Sequence, residues 1–127
     1  MRYGPRMAPR SFITGLAGSQ IGPQERVFLR EFEPWGMILF KRNIENPDQV
    51  ADLVRDFREV AGRADAPVLV DQEGGRVQRL GPPHWPAYPP AATYTALHRT
   101  DAAAGRSCSR LGARQISPDQ ARTKAAT

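Results

Sequence analysis

The stretch Val68-Leu69-Val70-Asp71-Gln72-Glu73-Gly74-Gly75-Arg76-Val77-Gln78-Arg79 passes from an apolar triplet into acids, glycines and arginines. With Pro67 before it, the triplet predicts a strand apolar on both faces, as in a parallel sheet covered by helices, stopping abruptly at Asp71. In sheets of parallel strands, ligands bind where the strands end at their carboxyl side. A carboxylate at that point, beside two glycines and two guanidinium groups, suits a polar, hydroxyl-rich small molecule.

The chain upstream supplies the rest of such a sheet. Phe12–Leu16 predicts a short first strand, stopped by Gly18 and Ser19. Gly22-Pro23 opens a helix with proline at its first position, where the missing N–H costs nothing. Phe28 and Phe32, four apart, are expected to share that helix's buried face, and Pro34 to end it. Gly36-Met37-Ile38-Leu39-Phe40 is a second apolar strand, followed by the polar Lys41-Arg42-Asn43. Asn46 then caps a helix with Pro47 in its first turn, and Gln49 sits at the capping-box position. Val50, Leu53, Val54, Phe57, Val60 and Ala61 form one apolar stripe, and Gly62 ends the helix. Strand, helix, strand, helix, strand implies a parallel sheet with right-handed crossovers. Downstream, residues 81–90 form a proline-rich loop unable to serve as a central strand. A helix is expected from Asp101 through Leu111, with Ser117-Pro118 as an interruption and no apolar periodicity after it.

Composition narrows the function classes. The 127 residues suit one domain of ordinary size. The net charge of +5 sits at the ends: residues 11–99 carry ten bases against eleven acids. No aromatic-basic surface accompanies that charge, so no nucleic-acid partner is expected. A lone Cys108 excludes an internal disulfide and a multi-thiolate metal site, and reads as an ordinary helix thiol. No apolar run reaches the roughly 20 residues of a membrane span, and no secretion signal follows the amino-terminal arginines. The cytoplasm is the expected compartment.

These elements resemble the amino-terminal part of the family 3 glycoside hydrolases, β-N-acetylhexosaminidase branch. The resemblance lies in Gly36 through Ile44, in Asn46-Pro47-Asp48-Gln49, in Asp71 through Leu80, and in Pro89 before Ala91-Ala92. It covers roughly residues 12–114. It implies the opening of a (β/α)₈ barrel and a retaining, metal-free removal of terminal β-linked N-acetylglucosamine during turnover of cell-wall fragments. It also implies that Asp71 and Arg79 bind the sugar. A carboxylate accepts from neighbouring hydroxyls, and a guanidinium donates through a fixed fork. Glu73, Gly74, Gly75 and Arg76 would form the site loop, the glycines allowing a sharp turn beside the ligand. Asp71 and Glu73 have the two-carboxylate look of a retaining glycosidase, but both would flank the bond from one side, and Glu73 is read first as an acid that holds the loop or pairs with Arg76.

The resemblance places the nucleophile, an aspartate, far downstream, and the acid/base histidine in a glycine-rich loop after a Lys-His pair. Neither has a counterpart in these 127 residues, so no catalytic residue is assigned. His84 and His98 read as surface residues, and Trp85 and Tyr88 as packing of the proline-rich loop. Arg42 and Asn43 are expected to bridge loops. No base is positioned to make Ser107, Cys108 or Ser109 a nucleophile. The expected organisation is a disordered leader over 1–10, a barrel segment of about three βα units over 11–114, and a divergent tail over 115–127. The expected partner is a saccharide containing N-acetylglucosamine, with no metal or cofactor. Two alternatives accompany this reading: a non-catalytic carbohydrate-binding remnant, and an enzyme completed by another chain. An incomplete barrel is also expected to be marginally stable and prone to aggregate.

Overall fold

A computed structural model describes residues 8–115. Residues 1–7 and 116–127, which include most of the expected leader and all but the first residue of the expected tail, lie outside the described residues. The chain divides into two compact units, Met1–Val70 and Asp71–Thr127.

The first unit holds the predicted alternation: β1 (Arg10–Thr14), α1 (Pro23–Phe32), β2 (Pro34–Leu39), α2 (Pro47–Val60) and β3 (Val68–Val70). The strands lie in the order β1-β2-β3 and pair in parallel, with Thr14 beside Met37 and Met37 beside Val68. This is the α/β architecture expected. Strand β1 starts at Arg10, two residues before the predicted Phe12, because the Arg10 N–H donates to the Glu33 carbonyl at 2.9 Å. Pro34, expected only to end α1, also opens β2, a position where the absent N–H breaks no ladder.

Helix α1 is secured at its start by Glu25, whose carboxylate accepts from the N–H groups of Gly22 at 2.9 Å and Ala17 at 2.8 Å. The expected burial of Phe28 with Phe32 needs correction. The two rings stack at 4.9 Å, but Phe28 is 39% exposed, and it is Leu29 that is fully buried. Leu29 lies one residue around the helix and enters the core, leaving the rings as an outer cluster. Phe12 meets Phe28 edge-on, and the Arg10 guanidinium lies over Phe32.

Helix α2 forms as its pattern predicts. Asn46 Oδ1 accepts from the Gln49 N–H at 2.9 Å. Leu53, Phe57 and Val60 are buried, with Val50 and Ala61 packed against them. With Leu16, Ile21, Leu29, Met37, Leu39 and Ala66 they make the core, which lies wholly in the first unit. Arg26 on α1 pairs with Asp56 on α2.

The second unit contains an antiparallel hairpin, β4 (Gln72–Gly74) with β5 (Val77–Gln78), and two helices, α3 (Ala91–Thr100) and α4 (Ala102–Gln115). One helix was expected from Asp101; two form, with Asp101 at their junction. Its N–H closes α3 on Leu97, while its carboxylate Oδ1 accepts from Ala103 and Ala104 at 3.0 and 2.9 Å and so caps α4. Gly105 is buried where α4 crosses α3: a Cβ there would lie 2.5 Å from the Cα of His98.

Candidate functional site

Asp71 follows β3 directly in the chain, and the hairpin after it folds Arg79 back toward it. The Arg79 N–H donates to the Asp71 carbonyl at 3.3 Å, and its guanidinium donates to Asp71 Oδ2 at 3.4 Å. The side chains remain 42% and 29% exposed, so this ion pair is loose and partly wet. Such a pair contributes little stability, at most about 1 kcal/mol. It leaves an acidic and a basic hydrogen-bonding group side by side at the surface.

The turn that brings them together depends on the two glycines. Gly74 and Gly75 have φ of 84° and 61°, in the left-handed region that favours glycine. A Cβ on Gly74 would collide with the Pro89 carbonyl oxygen, and one on Gly75 would press on the Pro90 ring at 3.0 Å. The Gly75 N–H donates to the Tyr88 carbonyl at 2.9 Å. The turn is thus packed against the end of the proline-rich loop.

Two glutamines, not singled out in the sequence, complete the arrangement. Gln72 donates to the Leu80 carbonyl at 2.7 Å and accepts from the Leu80 N–H at 3.1 Å. Gln78 donates to the carbonyls of Leu80 at 2.8 Å and Pro86 at 2.6 Å, and accepts from the Tyr88 N–H at 2.9 Å. The only sequence signal for this role is position: both glutamines flank the acid-glycine-arginine string.

The other site candidates fall outside this cluster. Glu73 and Arg76 are exposed, and among the described residues no ion pair joins them, so the pairing expected for Glu73 does not form. His84 is exposed and meets Trp85 edge-on at 5.9 Å. His98 is exposed on α3, with Nδ1 3.2 Å from the Ala102 carbonyl. Cys108 is a free, half-buried thiol on α4. Arg42 and Asn43 bridge loops as expected: Arg42 Nε donates to the Leu16 carbonyl at 2.9 Å, and Asn43 Nδ2 to those of Leu16 and Gly18 at 3.0 and 2.8 Å. Among the described residues no helix is long and apolar enough to cross a membrane.

No family model matches the chain. Among curated proteins it is 40% identical over 89 residues to a β-hexosaminidase of Xanthomonas campestris, covering 70% of this chain and 26% of the relative. The chain therefore spans about a quarter of the length of the curated relatives it matches. Among solved structures, NagZ from Neisseria gonorrhoeae in complex with N-trifluoroacetyl-D-glucosamine superposes with a TM-score of 0.69 at 27% identity, over 78% of this chain and 29% of that one. A glycoside hydrolase family 3 β-N-acetylglucosaminidase from Paenibacillus superposes with a TM-score of 0.55 at 30% identity, over 65% of this chain and 16% of that one.

Parallel βαβαβ order leading into an acid-glycine-arginine hairpin defines the class of fold: an α/β chain built as the amino-terminal part of a (β/α)₈ barrel. Within that class the chain is similar to the β-N-acetylhexosaminidase branch of glycoside hydrolase family 3 over about a quarter or less of those proteins' length.

Proposed function

We propose that this chain supplies the sugar-gripping segment of a β-N-acetylhexosaminidase that removes terminal β-linked N-acetylglucosamine from cell-wall fragments in the cytoplasm. The observation that carries the reading is the pairing of Asp71 with Arg79 across a glycine turn, partly exposed and backed by a hydrogen bond from the Arg79 N–H to the Asp71 carbonyl. Asp71 would accept from adjacent sugar hydroxyls, while the Arg79 guanidinium donates to a hydroxyl or carbonyl oxygen of the same ring. The neighbouring structure with an N-substituted glucosamine, and the relatives' names, support a hexosamine as the sugar.

Chemistry needs more than a grip. A retaining glycosidase uses two carboxyl-type roles about 5–5.5 Å apart on opposite sides of the scissile bond. Asp71 and Glu73 are not assigned to them: Glu73 is exposed on β4, and Asp71 lies just before that strand, two residues away on the same side of the turn. The 127 residues taken alone are therefore proposed to bind the sugar without cleaving it. Titrating N-acetylglucosamine against the unsubstituted chain and Asp71→Ala tests the grip. The expected result is saturable binding, weakened at least roughly tenfold by the substitution, as for loss of a charged hydrogen-bond partner. Identical titrations would remove the binding claim. Release of a chromophore from a β-N-acetylglucosaminide at enzymatic rates by this chain alone would overturn the assignment of the cleaving groups to other parts of the family's domain.

A further inference from the structure

We propose that Gln72 and Gln78 are positioning residues: their paired amides clamp the segment from Leu80 to Tyr88 onto the β4–β5 hairpin and thereby hold Arg79 opposite Asp71. The proposal rests on the sugar-binding reading of that pair. Gln72 and Gln78 are direct partners in the ladder, so their side chains leave the hairpin on the same face. Both amides donate to one acceptor, the Leu80 carbonyl, at 2.7 and 2.8 Å. Gln72 also accepts from the Leu80 N–H at 3.1 Å, so both backbone polar groups of Leu80 are held.

Arg79 sits between the clamped residues. Gln78 precedes it, Leu80 follows it, and its own N–H is tied to the Asp71 carbonyl at 3.3 Å. Asp71 immediately precedes Gln72, the first residue of β4, so the acid and the anchor of the arginine that faces it are neighbours in the chain. Gln78 extends the clamp along the loop by donating to Pro86 at 2.6 Å and accepting from Tyr88 at 2.9 Å. Prolines at 82, 83, 86, 89 and 90 cannot donate from their backbone, so this loop has few hydrogen bonds of its own to offer. The buried apolar core lies entirely in the first unit, which leaves these amides as the principal described ties on the loop. A neutral amide is well suited to the task. It donates and accepts at once, and it adds no charge that would compete with the ion pair beside it.

The test uses the full chain, with N-acetylglucosamine as probe, and reads amide hydrogen exchange together with affinity. Gln78→Met keeps the shape and removes all three hydrogen bonds. Gln78→Glu keeps the oxygen that accepts from Tyr88 and removes the donors. In Gln78→Met the Tyr88 N–H is expected to exchange at least roughly tenfold faster, whereas in Gln78→Glu it stays protected. In both, affinity for the sugar falls roughly tenfold. Gln72→Met is expected to release the Leu80 N–H and weaken the sugar similarly. Unchanged exchange of Leu53 and Phe57 on α2, and of Asp101 and Gly105 at the α3–α4 junction, shows that both units of the variants are folded. Protection of Tyr88 and Leu80 unaltered in the Met variants would overturn the clamp. Faster exchange with unaltered affinity would overturn its positioning role. If the unsubstituted chain and Asp71→Ala bind alike, the sugar reading falls and takes the affinity claim with it, while exchange still decides whether the clamp exists.

Discussion

Asn43 is fully buried, and all of its side-chain hydrogen bonds go to backbone: Oδ1 accepts from Phe40 at 2.8 Å, and Nδ2 donates to Leu16 and Gly18. One amide thus fastens the end of β2 to the loop after β1. Asn43→Ala would remove three hydrogen bonds to backbone made from a fully buried side chain, at a cost of roughly 2–3 kcal/mol. The expected outcome is a clearly lower urea midpoint with an unchanged slope; a midpoint within error of the parent would show that water replaces the amide. The family resemblance implies loop bridging for Asn43 and sugar contact for Asp71 and Arg79, and the residues themselves mark the acid, glycines and arginines after the apolar triplet as a polar site. Neither singles out Gln72 and Gln78. Their partners are backbone atoms of Leu80, Pro86 and Tyr88, and a backbone acceptor has no letter in the sequence.

At the scale of single elements, legibility followed burial. Helix α2 carries a capping asparagine and an apolar stripe, and both do in space what their spacing implies. Helix α3 offers only Tyr94 and Leu97 as half-buried apolar positions and buries none fully, so its periodicity is too weak to read. The β4–β5 hairpin is polar, with strands of three and two residues, and its ties are side-chain amides. Gly105 shows how packing can reverse a local preference. Alanine is favoured over glycine inside a helix by about 1 kcal/mol. Yet the new Cβ would lie 2.5 Å from the His98 Cα and 2.7 Å from its nitrogen, against backbone that a rotamer change cannot move. Overpacking of that kind costs about 1–3 kcal/mol, so it outweighs the propensity. Gly105→Ala is expected to loosen the α3–α4 pair, seen as faster amide exchange in both helices. Slower exchange would mean that propensity wins and the helix pair accommodates the added methyl.

For the chain as a whole, the decisive fact is which surfaces of the sheet are covered. Met37 and Leu39 point into the core, and their ladder partners Val68 and Val70 share that face. The alternate positions form the opposite face, where Ile38 pairs with Leu69 and Ile13 pairs with Gly36. There Ile13 is 44% and Leu69 36% exposed. Strand β3 stands last in the sheet, so among the described residues its outer backbone groups meet no further strand. An apolar face next to an open strand edge is a template for association. The 127-residue chain by itself is therefore expected to bind a hydrophobic dye and to self-associate as concentration rises. Leu69→Lys places a charge on that face, in the edge strand itself. Because Leu69 is already partly exposed, the substitution should cost no more than about 1 kcal/mol of stability while reducing association. Sedimentation across a concentration series, run on the parent and the variant, checks both halves. If the parent sediments as a monomer throughout with a sharp, cooperative melt, its sheet face and edge are adequately covered and the expected association does not occur. If both chains associate equally, the contact lies elsewhere on the molecule, and the partly exposed phenylalanine cluster of Phe12, Phe28 and Phe32 becomes the surface to change next.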